Sequence, residues 1–191
     1  MLPKGVETPR LLELKAILDA ADFAEIVTWP LPKKEDHELV GRFISIFTYI
    51  DLNLCRIVEM ADRANLLEPP WAGKTARLTI DNVEDAIISL PGWSEGNLIA
   101  LQKVKELRCV RNLLGHFAMR LFPKDEAFIF ITKSARDYKR AFGGEPPPAI
   151  LMTSVSERSE VVEALAFAEG LQNWLADLAP QLESHWVTLL K

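Results

Sequence analysis

Between Leu101 and Leu121 apolar residues recur every three or four positions. Leu101, Val104, Leu107, Val110, Leu114, Phe117 and Leu121 form the stripe of a helix that faces a core. A chain that carries such a stripe has to build a second apolar surface to cover it, which points to packed helices. The same stretch holds an unusual polar set: Arg108, Cys109, Arg111, Asn112, His116 and Arg120. A solvated helix face ordinarily carries Glu and Lys. On an ideal helix Asn112 and His116 share one face, with Arg108 a turn before and Arg120 a turn after. Arg111 falls at the edge of the apolar stripe, about 140° from His116. A long side chain, a local distortion at Gly115 or reach across a dimer would each close that gap.

The chain has 191 residues, 49% hydrophobic and 26% charged, enough for one domain with a substantial core. No apolar run approaches the roughly 20 residues that span a bilayer. Residues 1–5 lack the apolar core of a signal peptide. Cys55 and Cys109 both fall in helical patterns, as reduced thiols of a cytoplasmic protein would. The three histidines, His37, His116 and His185, are scattered, and neither a paired-cysteine motif nor a Gly-rich phosphate loop is present. No metal or other cofactor is therefore expected. A net charge of -5 argues against broad nucleic-acid binding, so an RNA site has to be local.

In chain order, Thr8-Pro9 reads as N-cap and first helical residue of a short helix to about Ala21, with Leu11, Leu14 and Leu18 on one side. Residues 1–35 form an N-terminal arm whose expected role is packing, on the bundle or on a partner subunit. A long helix is predicted from about Asp36 to Leu67, with Phe43, Phe47, Ile50, Leu54 and Ile57 on its apolar face. Asp51 and Arg56 read as solvated charges, with bracing of the motif the alternative. A short helix follows over 81–90. The motif helix is predicted to run until Pro123 ends it. Residues 127–132 and 149–155 are short and apolar, and predict a two-stranded antiparallel pair within a 127–155 insertion.

The connection between those strands, with Gly143-Gly144 and Pro146-Pro147-Pro148, reads as a wide loop. It carries Lys133, Arg136, Tyr138, Lys139, Arg140 and Phe142, a basic and aromatic mixture suited to phosphates and bases, with a solvated hairpin tip as the structural alternative. Arg136, Tyr138, Lys139 and Arg140 are the candidate RNA contacts there. Ser156 is the predicted N-cap of the last helix, whose stripe runs through Leu165, Leu171, Leu175 and Leu178 and continues with Leu182, Trp186 and Leu189 after a kink or restart at Pro180.

The segment Arg111-Asn112-Leu113-Leu114-Gly115-His116 resembles the signature of the HEPN family: an arginine, a polar residue, a few variable residues and a histidine. The order of elements, a long apolar helix, a motif helix and a closing helix, is similar too. The resemblance implies a mainly α fold over residues 1–191, an antiparallel helical bundle with the small β insertion before the last helix. It implies a homodimer in which the motifs of two protomers face one cleft. Arg111, Asn112 and His116 would then be the catalytic residues of a metal-independent endoribonuclease of toxin or defence type. Such an enzyme leaves a 2',3'-cyclic phosphate. Arg108 and Arg120 would contact the RNA. The family also implies a regulatory partner, a nucleotidyltransferase-like antitoxin among them. Many members of the family are catalytically inert, which leaves two further readings: a non-catalytic dimer that binds RNA, nucleotide or a regulatory protein, and a helical adaptor in which Arg111 and His116 only pack.

Overall fold

The computed structural model describes residues 2–189 except Lys4, Lys124, Ala149 and Ile150, with side chains as far as Leu182. The described residues are mainly helical with a small antiparallel sheet. None of the described helices is long and apolar enough to cross a membrane. The helices are α1 (Pro9–Ala20), α2 (Phe23–Ile26), α3 (Lys34–Arg63), α4 (Ile80–Ile88), α5 (Glu95–His116), α6 (Ala135–Phe142) and α7 (Arg158–Leu189). The strands are β1 (Ala118–Leu121), β2 (Ala127–Thr132) and β3 (Met152–Glu157), in the order β1-β2-β3. By contacts the chain divides into two compact units, residues 1–44 with 106–166, and residues 45–105 with 167–191.

The first unit is built around β2. Its six residues, Ala127 to Thr132, are all buried, so both faces of the strand are covered, which is why the sequence there is a continuous apolar run rather than an alternation. Ala127, Ile129 and Ile131 join Leu14 and Leu18 of α1, Ile26 of α2, Trp29, Phe122 and Val155 in one buried cluster. Phe128 and Phe130 occupy the other face, each 1% exposed. The N-terminal arm is thus part of the sheet's own core. Thr8 caps α1 as the Thr-Pro pair predicts, its hydroxyl accepting from the Leu11 amide at 3.1 Å.

Three predicted boundaries are corrected in this unit. The motif helix stops at His116, not at Pro123, and residues 118–121 form a strand on β2, with Ala118 opposite Ile131 and Leu121 opposite Phe128. Phe117 and Leu121 are four apart and mimic a helical stripe, but β2 would otherwise present an unpaired edge inside the core. An unsatisfied buried backbone group costs more than a helical turn gains. The sheet therefore has three strands instead of two. The outer edge of β1 is tied to the arm: the Leu121 amide donates to the Pro30 carbonyl at 2.9 Å and the Arg120 guanidinium to the Trp29 carbonyl at 3.1 Å.

The predicted wide loop contains the helix α6. Ser134 caps it, accepting from the Asp137 amide at 3.2 Å, and Gly143 closes it at φ 76°, donating to the Lys139 carbonyl. Ser134 and Gly143 are ordinary helix-boundary residues. The Gly-Gly and triple-Pro run beside them reads as loop and masks that signal. The second predicted strand is shifted toward the C-terminus. β3 runs Met152–Glu157, while Ala149 and Ile150, which open the predicted strand, lie outside the described residues. Ser156 belongs to β3, opposite Phe128, and is not the cap of α7. Its hydroxyl donates to Glu160 at 2.8 Å, and the same carboxylate accepts the Glu157 amide at 2.9 Å. Glu160 thus reaches back over the start of α7, the acidic half of a capping box.

Asp36 is 0% exposed. Its carboxylate accepts the Lys33 amide at 2.8 Å and pairs with the Arg158 guanidinium. The Arg158 amide in turn donates to the Glu126 carbonyl at 2.8 Å, and its guanidinium carbon lies 6.0 Å from the centroid of the Phe128 ring.

In the second unit, α3 from residue 45 onward, α4, the first part of α5 and α7 from residue 167 supply buried Phe47, Ile50, Leu54, Val83, Ile87, Leu101, Val104, Leu171 and Leu175. Thr79 caps α4, and the Trp93 indole donates to the Ile87 carbonyl at 2.7 Å. Lys105 pairs with Asp85 at 2.7 Å. Of the kink or restart expected at Pro180, the restart does not occur: α7 runs on through the proline. The Trp186 and Leu189 side chains of the predicted stripe lie outside those described.

Breaking the Asp36–Arg158 pair should unfold the first unit first. Asp36→Ala leaves the Arg158 charge and the Lys33 amide without their partner, an expected loss of about 3 kcal/mol. Asp36→Asn keeps the cap and should lose less. Urea unfolding followed by circular dichroism measures both, and equal stability of Asp36→Ala and wild type would remove the pair from this role.

Candidate functional site

Arg111, Asn112 and His116 occupy the last two turns of α5, within the first unit. Leu113 and Leu114, between them, are buried and hold this end of the helix in the core. Arg111 and Asn112 are half-buried, and Gly115 and His116 are exposed. The Arg111 guanidinium runs along the helix toward its C-terminus. Nη1 lies 3.9 Å from the point a Cβ on Gly115 would occupy. Its charged end therefore lies over the residue that precedes the histidine, which on an ideal helix closes about 40° of the 140° between Arg111 and His116. α5 is continuous through Gly115 to His116.

Asn112 is held from two sides. Its Oδ1 accepts from Arg111 Nη1 at a long 3.4 Å, and its Nδ2 donates to the Arg140 carbonyl at 3.3 Å. The Arg140 carbonyl lies in the last turn of α6, where helix carbonyls have no partner within the helix. The Asn112 amide thus caps α6 from the side and fixes it against the end of α5. Phe117 packs edge-on to Phe142, with centroids 6.2 Å apart, and Tyr138 lies against Phe142 at 4.8 Å. His116 makes no hydrogen bond or ion pair among the described residues. Its imidazole is exposed at the helix end with both nitrogens open to a ligand.

The other sequence candidates separate into two groups. Arg136, Lys139 and Arg140 are exposed on α6, next to the motif. Arg136 and Arg140 are one turn apart and form no ion pair among the described residues, whereas Lys139 pairs with Glu145. Two arginines at this spacing repel by a few tenths of a kcal/mol. Part of that is offset for Arg140, in the last turn, by the negative end of the helix dipole. Arg108 and Arg120 do not extend the row at His116. Arg108 is only 6% exposed and has partners within the chain. Arg120 lies on β1, where its guanidinium binds the Trp29 carbonyl. Among the described residues no cluster of His, Cys, Asp or Glu could hold a metal ion.

The link from Asn112 to α6 had no sequence signal, because the two residues are 28 positions apart and pair through a backbone carbonyl. The sequence marks Gly115 as a place where the helix could distort; in the structure α5 is continuous there and the Arg111 guanidinium lies over it.

No protein-family model, curated protein or solved structure matches this chain.

At Gly115 a Cβ would make ordinary contacts, 3.9 Å to Arg111 Nη1 and 4.0 Å to Ile44 Cδ1. Gly115→Ala should therefore fold and gain about 0.5–1 kcal/mol from helix propensity. A thermal melt showing a lowered midpoint would mean that the glycine is required by the fold.

Proposed function

We propose that this protein is a metal-independent endoribonuclease that acts as a homodimer, with a HEPN-like helical core and a composite site built from Arg111, Asn112 and His116 of two protomers. The observation that carries the reading is the course of Arg111 over Gly115, which brings a guanidinium to the same exposed helix end as the open imidazole of His116. The flanking Arg136 and Arg140 on α6 supply a local positive surface on a chain whose net charge is -5.

The chemistry follows from these groups. The RNA 2'-hydroxyl attacks the adjacent phosphorus, and the bond from phosphorus to the 5'-oxygen of the next nucleotide breaks. One imidazole accepts the 2'-hydroxyl proton and a second, protonated one donates to the leaving 5'-oxygen. Histidine suits both roles because its imidazole titrates near neutrality. Two imidazoles are needed in one step, and a two-fold pairing of exposed helix ends provides them. The Arg111 guanidinium binds a non-bridging oxygen and stabilises the charge that builds on the phosphorane. Asn112 orients Arg111 through Oδ1. The products are a 2',3'-cyclic phosphate and a 5'-hydroxyl. A cytoplasmic setting and control by a nucleotidyltransferase-like antitoxin or another regulatory protein belong to this proposal through the HEPN resemblance.

A second reading is a non-catalytic dimer that binds RNA, nucleotide or a regulatory protein. It is favoured by the Asn112 amide, which is committed to the α6 backbone and serves architecture.

Purified protein incubated with mixed-sequence RNA in EDTA decides between the two. Wild type should cleave and leave cyclic phosphate ends, while DNA, lacking the 2'-hydroxyl, stays intact. Loss of an electrostatic donor of this kind costs about 2.7–4 kcal/mol of barrier, so Arg111→Lys should slow cleavage by roughly 100- to 1000-fold. His116→Ala should abolish it and leave the helical circular dichroism unchanged. Light scattering should find a dimer at micromolar concentration. Equal cleavage by wild type and His116→Ala would sink the catalytic assignment, and binding without cleavage would favour the second reading.

A further inference from the structure

On the first unit, α1, α6 and β3 enclose a cleft of about 200 Å³. Its wall on α6 is aromatic: Tyr138 and Phe142 sit one turn apart with ring centroids 4.8 Å from each other. Leu18 and Val155 add apolar surface, and the rim is polar, with Glu7, Lys15 and Asp19 from the N-terminal side and Thr153 from β3. Pockets for drug-sized ligands run from about 300 Å³ upward, so this one takes a single flat heterocycle. A heterocycle between an aromatic wall and a rim of hydrogen-bonding groups is held as a splayed-out base of single-stranded RNA is held, by stacking on one side and edge contacts on the other.

The position of the cleft supports that occupant. Lys15 on the rim is exposed and makes no ion pair among the described residues, so a nucleotide with its base in the cleft has a cation beside it for its phosphate. The helix that carries Tyr138 and Phe142 is joined to the motif by the Asn112 bond to the Arg140 carbonyl. The rim also selects among bases. Asp19 and Glu7 are exposed carboxylates, which only accept hydrogen bonds. They match the exocyclic amino group of adenine, cytosine or guanine and repel the O4 carbonyl that uracil carries where cytosine has its amino group.

We propose that the cleft between α1, α6 and β3 is a base-binding subsite for single-stranded RNA, selective for a base that carries an exocyclic amino group. The inference rests on the reading of RNA as the substrate class, but it does not require cleavage. Tyr138 is the stacking residue, Asp19 a specificity-determining one, and Lys15 holds the phosphate at the rim.

Fluorescence anisotropy with the His116→Ala protein, which should leave RNA uncut, and labelled ten-nucleotide oligo(A), oligo(C) and oligo(U) tests it. Oligo(A) and oligo(C) should bind several-fold tighter than oligo(U). Tyr138→Ala should weaken binding of oligo(A) and oligo(C) by about 10-fold, within the range of one lost base stack, with the salt dependence unchanged. Tyr138→Phe should retain wild-type affinity. Lys15→Gln should instead lower the slope of log affinity against log salt by close to one. Asp19→Ala, at an exposed position on α1, should fold normally and bring oligo(U) level with the others. Unchanged affinity in Tyr138→Ala, no preference against oligo(U), or no binding of any oligonucleotide overturns the subsite. Cleavage by wild type without these effects removes the subsite and leaves the ribonuclease reading. The predicted binding pattern without cleavage by wild type does the reverse.

Discussion

The pairing of Asp36 with Arg158 is the constraint on which the first unit depends. A fully buried carboxylate is tolerated in a protein interior only when a countercharge and hydrogen-bond donors surround it. Here the donors are the Lys33 amide and the Arg158 guanidinium. Lys33 precedes α3 and Arg158 opens α7, so one carboxylate holds the starts of two helices together. The Arg158 amide continues the chain of bonds to the Glu126 carbonyl, at the entrance of β2. Position 36 therefore acts twice, as a local cap and as a long-range tie across 122 positions of sequence.

From β2 outward the rest of the unit follows. A strand buried on both faces has to be paired on both edges and covered on both sides. β1 and β3 satisfy the edges, and the N-terminal arm covers the face that carries Ala127, Ile129 and Ile131. The demand for a partner on the β1 side ends α5 at His116. Were the helix to continue to Leu121, His116 would lie mid-helix with a further turn over it. The strand removes that turn and leaves the imidazole at an exposed terminus. The candidate site is thus a by-product of sheet pairing, and its second wall, α6, is an insertion between two strands of the same sheet.

The basic helix α6 shows how one side chain can serve two levels of structure. Asn112 satisfies a carbonyl at the end of α6 and also accepts from Arg111. Architecture and proposed chemistry therefore meet in one amide. In the proposed enzyme Asn112 works through Arg111, and its effect is on how well that guanidinium is aimed at a phosphate.

Local signals in the sequence were sufficient for much of this. Periodic apolar residues determined α3, α5 and α7, because burying a stripe at helical spacing has one economical solution. Thr8-Pro9 determined the start of α1, and the helical period around Arg111, Asn112, Gly115 and His116 determined that these groups share one helix, though not that they stand at its end. Three matters were decided only in the folded chain. The helical period through Phe117 and Leu121 was overridden by the need of β2 for a second edge, a contact no local window contains. The α6 helix was legible in Ser134 and Gly143, but its place against Asn112 depended on a backbone carbonyl, which no side-chain pattern encodes. Arg108 and Arg120 read as members of one polar row. Burial of the first and the strand conformation of the second took them off it, because tertiary contacts, and not helical spacing, set the surroundings of an arginine.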